Sequence, residues 1–145
     1  MSKLFMRTPM MKIKYRMFDR SQRSSFPYWF WHWLAFNMTA RKLHAWKFHH
    51  LFHDIEKPWL RLFLEYKKVQ TWHRTHNRHH LEYPRQELID WRDLCIDWES
   101  CHLTKTDEPR TAREEMERYC ADPKSKFDPR WIRSHMEPEL NKLGL

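Results

Sequence analysis

Glycine is almost absent from this 145-residue chain, since the single one, Gly144, stands next to the C-terminus. Hairpin turns and bulges of β-sheets depend on glycine for backbone conformations with positive φ. This scarcity argues against a β-rich domain and favours helices, with the eight prolines supplying the breaks between them. We therefore expect an all-α fold, a compact single-domain bundle of five or six helices.

Cysteine and long apolar runs are also scarce. The three cysteines, at positions 95, 101 and 120, show no C-x-x-C spacing, which predicts neither a disulfide framework nor a thiolate zinc site and favours a reducing compartment. The most apolar stretch, residues 26–36, is too short to span a bilayer. We expect a cytoplasmic protein without a transmembrane segment. A basic N-terminus, in which Asp19 is the one acid among the first 25 residues, makes the mitochondrial matrix the alternative.

Acidic residues are few in the first part of the chain, although the net charge of the whole chain is only +8. Residues 1–80 carry 16 Lys and Arg against 4 Asp and Glu, whereas residues 81–145 carry 11 against 15. Either the two parts attract each other, or a basic face attracts phosphate groups. We divide the chain into a basic arm, 1–25, and a helical domain, 26–145, and the arm leaves room for an oligomer or a larger assembly.

Aromatic spacing and proline positions predict where the helices lie. A first helix is expected over 27–38, a second from about 39 to 54, a third over 59–68 and a helical segment over 71–82. Pro84 is expected to open a helix that carries an apolar stripe, and two further helices should start at Pro109 and Pro129. The stripe consists of Leu88, Trp91, Leu94, Cys95 and Trp98.

Histidine is abundant, because nine of the eleven histidines fall between positions 32 and 80. They concentrate in two runs, 44–54 and 72–83. Neutral imidazole is a good ligand for manganese, iron, nickel, cobalt or zinc, and a neighbouring carboxylate adds negative charge. The adjacent pair His53 and Asp54 therefore predicts the centre of a metal site. The candidates for further ligands are His44, His50, His73, His76, His79 and His80.

Several short motifs carry a resemblance to a known family. The segment HDIEKP at 53–58 resembles the H-D-x-x-K-P core of the HD-domain metal-dependent phosphohydrolases. Further segments make the whole series similar to a small family of bacterial and phage proteins related to those enzymes, and the resemblance covers about residues 28–145. These segments are HNRHHLEY at 76–83, IDWESCHLTK at 96–105, TAREEM at 111–116 and PRWIR at 129–133.

The resemblance implies an HD-domain-like fold, one or two divalent ions (Mn, Fe, Ni, Co or Zn) and a set of site residues. Glu56 occupies a position that is usually small in HD enzymes, so it would either crowd the pocket or add a ligand. The implied metal ligands are His32 (with His44 second), His53, Asp54, Asp97, His76 and His80; the implied catalytic residues are Asp54, Lys57, His79 and His80; and the implied contacts to a substrate phosphate are Lys57, Arg74 and Arg78.

These residues lead to one principal hypothesis and two alternatives. The principal one is a metal-dependent phosphohydrolase that acts on a nucleotide or another phosphate-containing small molecule, with metal-activated water as the nucleophile. The first alternative is a catalytically degenerate HD-like structural or accessory subunit that a metal merely stabilises. The second is a nucleic-acid-binding module that uses basic residues 1–80 together with stacking tryptophans. Those tryptophans are Trp29, Trp31, Trp33, Trp46, Trp59 and Trp72.

Overall fold

The computed structural model describes residues 25–105 and 109–145, and these ranges contain six α-helices, two short 3-10 helices and no strand. The prediction of a small all-α bundle is confirmed. The predicted basic arm lies outside the described residues except for Ser25. The helices are α1 (Phe26–Lys42), α2 (Glu56–Arg61), α3 (Tyr66–His76), α4 (Trp91–Thr104), α5 (Ala112–Ala121) and α6 (Pro129–Leu143), and the 3-10 helices are Phe48–Phe52 and Gln86–Leu88.

Helix α4 is the centre of the bundle. Eleven of its 14 residues are buried, and it packs against α1, α5 and α6. Its first turn is capped by Asp90, whose side chain accepts a hydrogen bond from the backbone N–H of Asp93. Because α4 is enclosed on almost every side, it carries Asp97 into the protein interior.

Two groups of buried apolar side chains hold α4 in place. Between α1 and α4, the side chains of Phe36, Ala40 and Ile96 pack together with Ala45. The larger group lies between α4, α5 and α6, and burying its side chains supplies most of the hydrophobic stabilisation of this end of the bundle. Its members are Leu81, Leu94, Cys95, Trp98, Ala112, Met116, Ile132, Met136 and Leu140.

The beginnings of two C-terminal helices follow local capping rules. Asp128 caps α6 and Pro129 is its first residue, as predicted. Helix α5 begins at Ala112 instead of at Pro109, because Thr111 and Glu114 form a reciprocal capping box there. In both cases the N-cap side chain accepts a backbone N–H that the helix itself leaves unbonded.

Other predicted helix boundaries were wrong. Helix α1 continues to Lys42, and the segment predicted as a helix over 39–54 is instead a loop that contains the 3-10 helix Phe48–Phe52. The helix predicted over 59–68 is split between α2 and α3, and the one predicted over 71–82 ends with α3 at His76. The helix expected after Pro84 begins only at Trp91, so Leu88 lies outside it and is exposed.

None of the described helices is both long enough and apolar enough to cross a membrane.

Candidate metal centre

Helix α1 holds the loop that carries His53 and Asp54. Trp29 donates its indole N–H to the carbonyl of His53 at 3.0 Å, and Trp33 donates to the carbonyl of Leu51 at 2.9 Å. Asn37 donates its amide N–H to the carbonyl of His50 at 3.0 Å. Residues four apart share one face of a helix, so a single face of α1 supplies hydrogen bonds that the non-helical loop cannot make for itself. Trp29 and Trp33 thus hold this loop against α1, and we call these two side chains the indole clamp.

Side-chain stacking and an unusual backbone conformation fix the His53–Asp54 pair. The ring of His53 stacks on Phe36, with a centroid separation of 3.6 Å and an interplanar angle of 8°. Asp54 has a φ of 55°, in the left-handed region that few residues other than glycine adopt, though Asp tolerates it better than most. Strained backbone of this kind is concentrated at functional sites. Here it accompanies a buried carboxylate that faces histidines from three segments of the chain.

The first group of potential ligands contains His32, His53, Asp54 and Asp97. Nε2 of His32 lies 3.1 Å from Oδ1 of Asp97, 3.2 Å from Nε2 of His53 and 3.3 Å from Oδ2 of Asp54. Nε2 of His53 lies 3.4 Å from Oδ1 of Asp97. Ligand atoms that each lie about 2.1 Å from one ion are separated from each other by about 3.0–3.4 Å. The atoms of His32, His53 and Asp97 therefore have the mutual distances of a metal-binding set, and Asp54 borders it.

A second group shares Asp54 with the first. Oδ1 of Asp54 lies 3.4 Å from Nε2 of His73 and 3.2 Å from Nε2 of His79. His80 is adjacent, with its Nε2 2.7 Å from Nε2 of His73. Oδ1 of Asp54 is also 3.5 Å from Nε2 of His53, so the carboxylate is close to both ligand groups, as expected of a residue shared by a two-metal site.

Glu56 orients His73. Its Oε1 lies 2.5 Å from Nδ1 of His73 and also accepts a hydrogen bond from Nδ2 of Asn77 at 2.9 Å. A carboxylate that accepts the N–H of one ring nitrogen leaves the other nitrogen free to bind a metal, and such partners raise ligand basicity. Two roles were expected for Glu56, crowding the pocket or adding a ligand. Its carboxylate lies close enough to His73 and Asp54 for the second role.

A cation suits this set of atoms better than hydrogen bonds do. Oδ1 of Asp54, Oδ1 of Asp97 and Nε2 of His79 are buried, and none has a hydrogen-bond partner within the described part of the chain. Nearly all buried polar atoms in proteins have such a partner. Because these atoms converge at the separations given above, an ion among them would satisfy them together. Nitrogen and carboxylate ligands of this kind fit Mn, Fe, Co, Ni or Zn.

The ionisation states of the two buried carboxyl groups also favour cation binding. Burial raises the pKa of Asp54, but the charges of His53, His73 and Lys57 outweigh it and hold that pKa well below its ordinary value. The pKa of Asp97 is likewise lowered, because its interactions with the adjacent imidazoles of His32 and His53 outweigh the effect of burial. Both carboxyl groups are therefore ionised near neutral pH.

The imidazole of His73 is in the form that a metal requires. Burial lowers its pKa well below the ordinary value, more strongly than the charge of Asp54 raises it. The pKa of His80 is lowered as well, by burial and by the neighbouring His79 and His73. Neutral imidazole, with a free lone pair, is the ligating species.

A cleft leads to the cluster from solvent. It consists of two adjoining cavities of about 420 Å³ and about 90 Å³. Lys57 lines the smaller one and donates to Oδ2 of Asp54 at 2.5 Å. The residues that line both cavities are Arg74, His80, Asp97, Cys101 and Lys105. Positive side chains thus surround the approach to the ligand atoms.

Most of the site residues predicted from the sequence meet here, and three do not. His76 is exposed, stacks on Trp72 with the ring centroids 4.2 Å apart and lies outside both ligand groups. Arg78 donates to the carbonyl of Leu88 and lines a different cavity. His44, the second choice for the early ligand, is exposed. The predicted residues that do meet are His32, His53, Asp54, Lys57, Arg74, His79, His80 and Asp97.

Sequence analysis left His73 as one candidate among several and did not identify Glu56 as its partner. A signal for His73 was present in the spacing of the second histidine run, since His73 and His76 are three residues apart on one predicted helix. In the structure His73 is buried, whereas His76, the last residue of α3, is exposed. Only the position of α3 against α2 shows that His73 is the buried one.

A third cluster, made by His49, His50 and Asp93, is better explained as a structural hydrogen-bond network. Nε2 of His49 and Nε2 of His50 lie 2.6 Å and 2.9 Å from the two oxygens of Asp93. Nδ1 of His50 accepts the backbone N–H of Lys47, so the proton of the neutral ring resides on Nε2 and is donated to Asp93. A protonated nitrogen is not a metal ligand, and the network instead ties the 3-10 helix to α4.

Comparisons of the chain with protein-family models, with curated proteins and with solved structures gave no match. The resemblance to HD-domain enzymes therefore stays a prediction, and the geometry of the His and Asp cluster carries the argument for function.

Proposed function

We propose that this chain is a metal-dependent phosphohydrolase of the HD type, which acts on a nucleotide or another phosphate ester with two divalent ions that share Asp54. The observation that carries the proposal is the position of the Asp54 carboxylate. Ring nitrogens of four histidines, His32, His53, His73 and His79, lie within 3.5 Å of its two oxygens. Two such groups beside a cationic cleft suit the hydrolysis of a phosphate ester.

The ligand residues are divided between the two proposed ions. The first ion is assigned to His32, His53, Asp54 and Asp97, and the second to Asp54, His73 and His79. When bound, the ions supply a hydroxide nucleophile at neutral pH and polarise a phosphoryl oxygen.

The side chains of the cleft bind and orient the ester. Lys57 and Arg74 line the cavity beside Asp97, where they donate hydrogen bonds to the non-bridging oxygens of the phosphate. Positive groups fixed in this way stabilise the charge that develops on the phosphoryl oxygens during the reaction.

We assign proton transfer to His80. It lines both cavities, whereas its neighbour His79 lines neither of them and contacts Asp54. A neutral imidazole at the wall of the cleft can accept a proton from the attacking water and then pass it to the leaving oxygen of the ester. The free thiols of Cys95, Cys101 and Cys120 agree with the cytoplasmic location that belongs to this proposal.

The test is hydrolysis of phosphate monoesters and diesters by protein supplied with Mn, Fe, Co, Ni or Zn. Turnover should be lost on chelation and fall by at least about a hundredfold in Asp54→Asn. The matched pair His73→Gln and His76→Gln changes the same residue type on α3, once inside the cluster and once on the surface. Only His73→Gln should lose activity.

Two outcomes would overturn the proposal. One is hydrolysis that persists in chelator or is equally reduced in both histidine variants. The other is metal-loaded protein that turns over no ester but unfolds when the metal is removed, since the metal would then serve only to stabilise a structural subunit.

A further inference from the structure

The larger cavity of the cleft carries more positive charge than its carboxylates balance. Arg118 makes two hydrogen bonds to the carboxylate of Glu115, at 2.6 and 3.0 Å, and Arg110 lies 3.6 Å from the same group. One negative charge is thus shared between two guanidinium groups. On the opposite wall Arg74 pairs with Glu82 at 3.4 Å.

Lys105 adds a further positive charge at the junction of the two cavities. It follows directly after α4, is partly buried and lines both the larger and the smaller cavity. Within residues 25–105 and 109–145 its ammonium group forms no ion pair, and the carboxylates of Asp97 and Glu115 act on it only from a greater distance. Removing a charge from water is costly unless a counter-charge compensates it. The position of Lys105 therefore favours an anionic group of the ligand.

The aromatic side chains of the larger cavity do not offer a surface for a nucleobase. Trp98 and Tyr119 stack on each other, with a centroid separation of 5.0 Å and an interplanar angle of 10°. The guanidinium of Arg118 lies over the Tyr119 ring at 4.5 Å. Both faces of Tyr119 are thus occupied, and Trp98 is almost completely buried. Recognition in this cavity depends on charge and hydrogen bonds.

We propose that the substrate is a compact aliphatic phosphate ester with a second anionic group, a phosphate or a carboxylate, which Lys105 binds in the larger cavity. The scissile phosphate lies at the ligand cluster, beside Asp97 and His80, which border the same cavity. The inference rests on the proposed hydrolase function and narrows its substrate class away from nucleotides. A charge-assisted hydrogen bond of this kind adds about tenfold or more to affinity.

The experiment compares propyl phosphate with propane-1,3-diyl bisphosphate, which differ only in the second phosphate, and includes adenosine monophosphate as the nucleotide. With the metal-loaded protein, kcat/KM for the bisphosphate should exceed that for the other two by about tenfold or more. Lys105→Met should lose most of that preference, while Lys105→Arg should keep it. Lys126→Met is the matched control, because Lys126 is exposed and lines neither cavity, and it should retain the full preference.

The outcomes separate this inference from the hydrolase proposal. Turnover of all three esters at similar rates, or a preference for the nucleotide, overturns the inference and leaves the hydrolase intact. If no ester is turned over, calorimetric binding of the same compounds decides: tighter binding of the bisphosphate that depends on Lys105 supports the anion site, and equal binding overturns it. If Lys105→Met does not fold, the preference of the unmodified protein among the three esters still tests the inference.

Discussion

Oε1 of Glu56 lies 2.5 Å from Nδ1 of His73, whereas Oδ1 of Asp54 lies 3.4 Å from the other ring nitrogen, Nε2. The glutamate therefore fixes the proton of the imidazole on Nδ1 and leaves the lone pair of Nε2 directed at the ligand cluster. It orients His73 as a ligand of the proposed second ion, whereas within the described residues its side chain makes hydrogen bonds only to His73 and Asn77 and none to His32 or Asp97.

Replacing Glu56 by Ala should weaken the second ion selectively. Loss of an orienting carboxylate lowers metal affinity by about 10–100-fold, and only the second set contains His73. Metal titration by calorimetry should therefore show one site unchanged and one weakened. Glu87→Ala, an exposed glutamate of the 3-10 helix Gln86–Leu88, is the control. Equal weakening of both sites would contradict the orienting role.

The indole clamp on the loop can be tested through stability. Trp33→Phe keeps an aromatic ring but removes the N–H that binds the carbonyl of Leu51. An unsatisfied carbonyl in this partly buried place should reduce the free energy of unfolding by about 1–2 kcal/mol. Urea denaturation measures the change.

The matched control for the clamp is Trp59→Phe. Trp59 is 63% exposed, so its replacement should alter the free energy of unfolding by less than about 0.5 kcal/mol. If both variants behave alike, the hydrogen bond from α1 does not hold the loop.

The fold class and the centre of the site were predictable because they depend on local chemistry. Scarce glycine indicated helices, and Asp128 before Pro129 marked a helix start that the structure confirms. The pair His53–Asp54 was identified as an adjacent histidine and carboxylate, a feature of near neighbours in the chain. Asp97 was implied by the resemblance to HD-domain enzymes, and it does lie beside His53.

The loop before His53 could not be predicted, for a physical reason. The apolar spacing of Leu43, Trp46, His50 and His53 fits a helix, and nothing local opposes one. What prevents it is a set of hydrogen bonds from α1 to the loop carbonyls. A sequence pattern cannot show these bonds, because they depend on the packing of two segments that are distant in the chain.

The packing of distant segments also decides which histidine of the second run, 72–83, is a metal ligand. His73 and His76 have similar neighbours in the sequence, and the direction of each depends on how α3 lies against α2 and on where it ends. The role proposed for Lys105 likewise could be recognised only from the structure, because it depends on the two cavities that Lys105 lines.

Acid should destabilise the protein partly through Asp93. Burial raises the pKa of this carboxyl, but hydrogen bonds from His50 and His49 outweigh burial and hold the pKa well below its ordinary value. A folded-state pKa below the unfolded one stabilises the protein above the unfolded value, about 3.9, and that contribution is lost as pH falls further. The stability difference between the unmodified protein and Asp93→Asn should therefore be full at pH 6 and shrink below about pH 4.

Denaturation at a series of pH values measures this difference, and any metal-linked contribution common to both proteins cancels. A difference that does not change between pH 6 and pH 2 would contradict the role assigned to the His49–His50–Asp93 network. Glu87→Gln, which alters an exposed carboxylate, should leave the pH profile as it is.

The central claim is that Asp54 joins two metal sites, and elemental analysis of the purified protein tests it most directly. After exposure to Mn, Fe, Ni or Zn and removal of excess ions, the unmodified protein should retain about two equivalents. His73→Gln should retain about one, and Asp54→Asn should retain almost none. Two results would contradict the account. In one, the folded, unmodified protein retains none of these metals; in the other, all three proteins contain the same amount of metal.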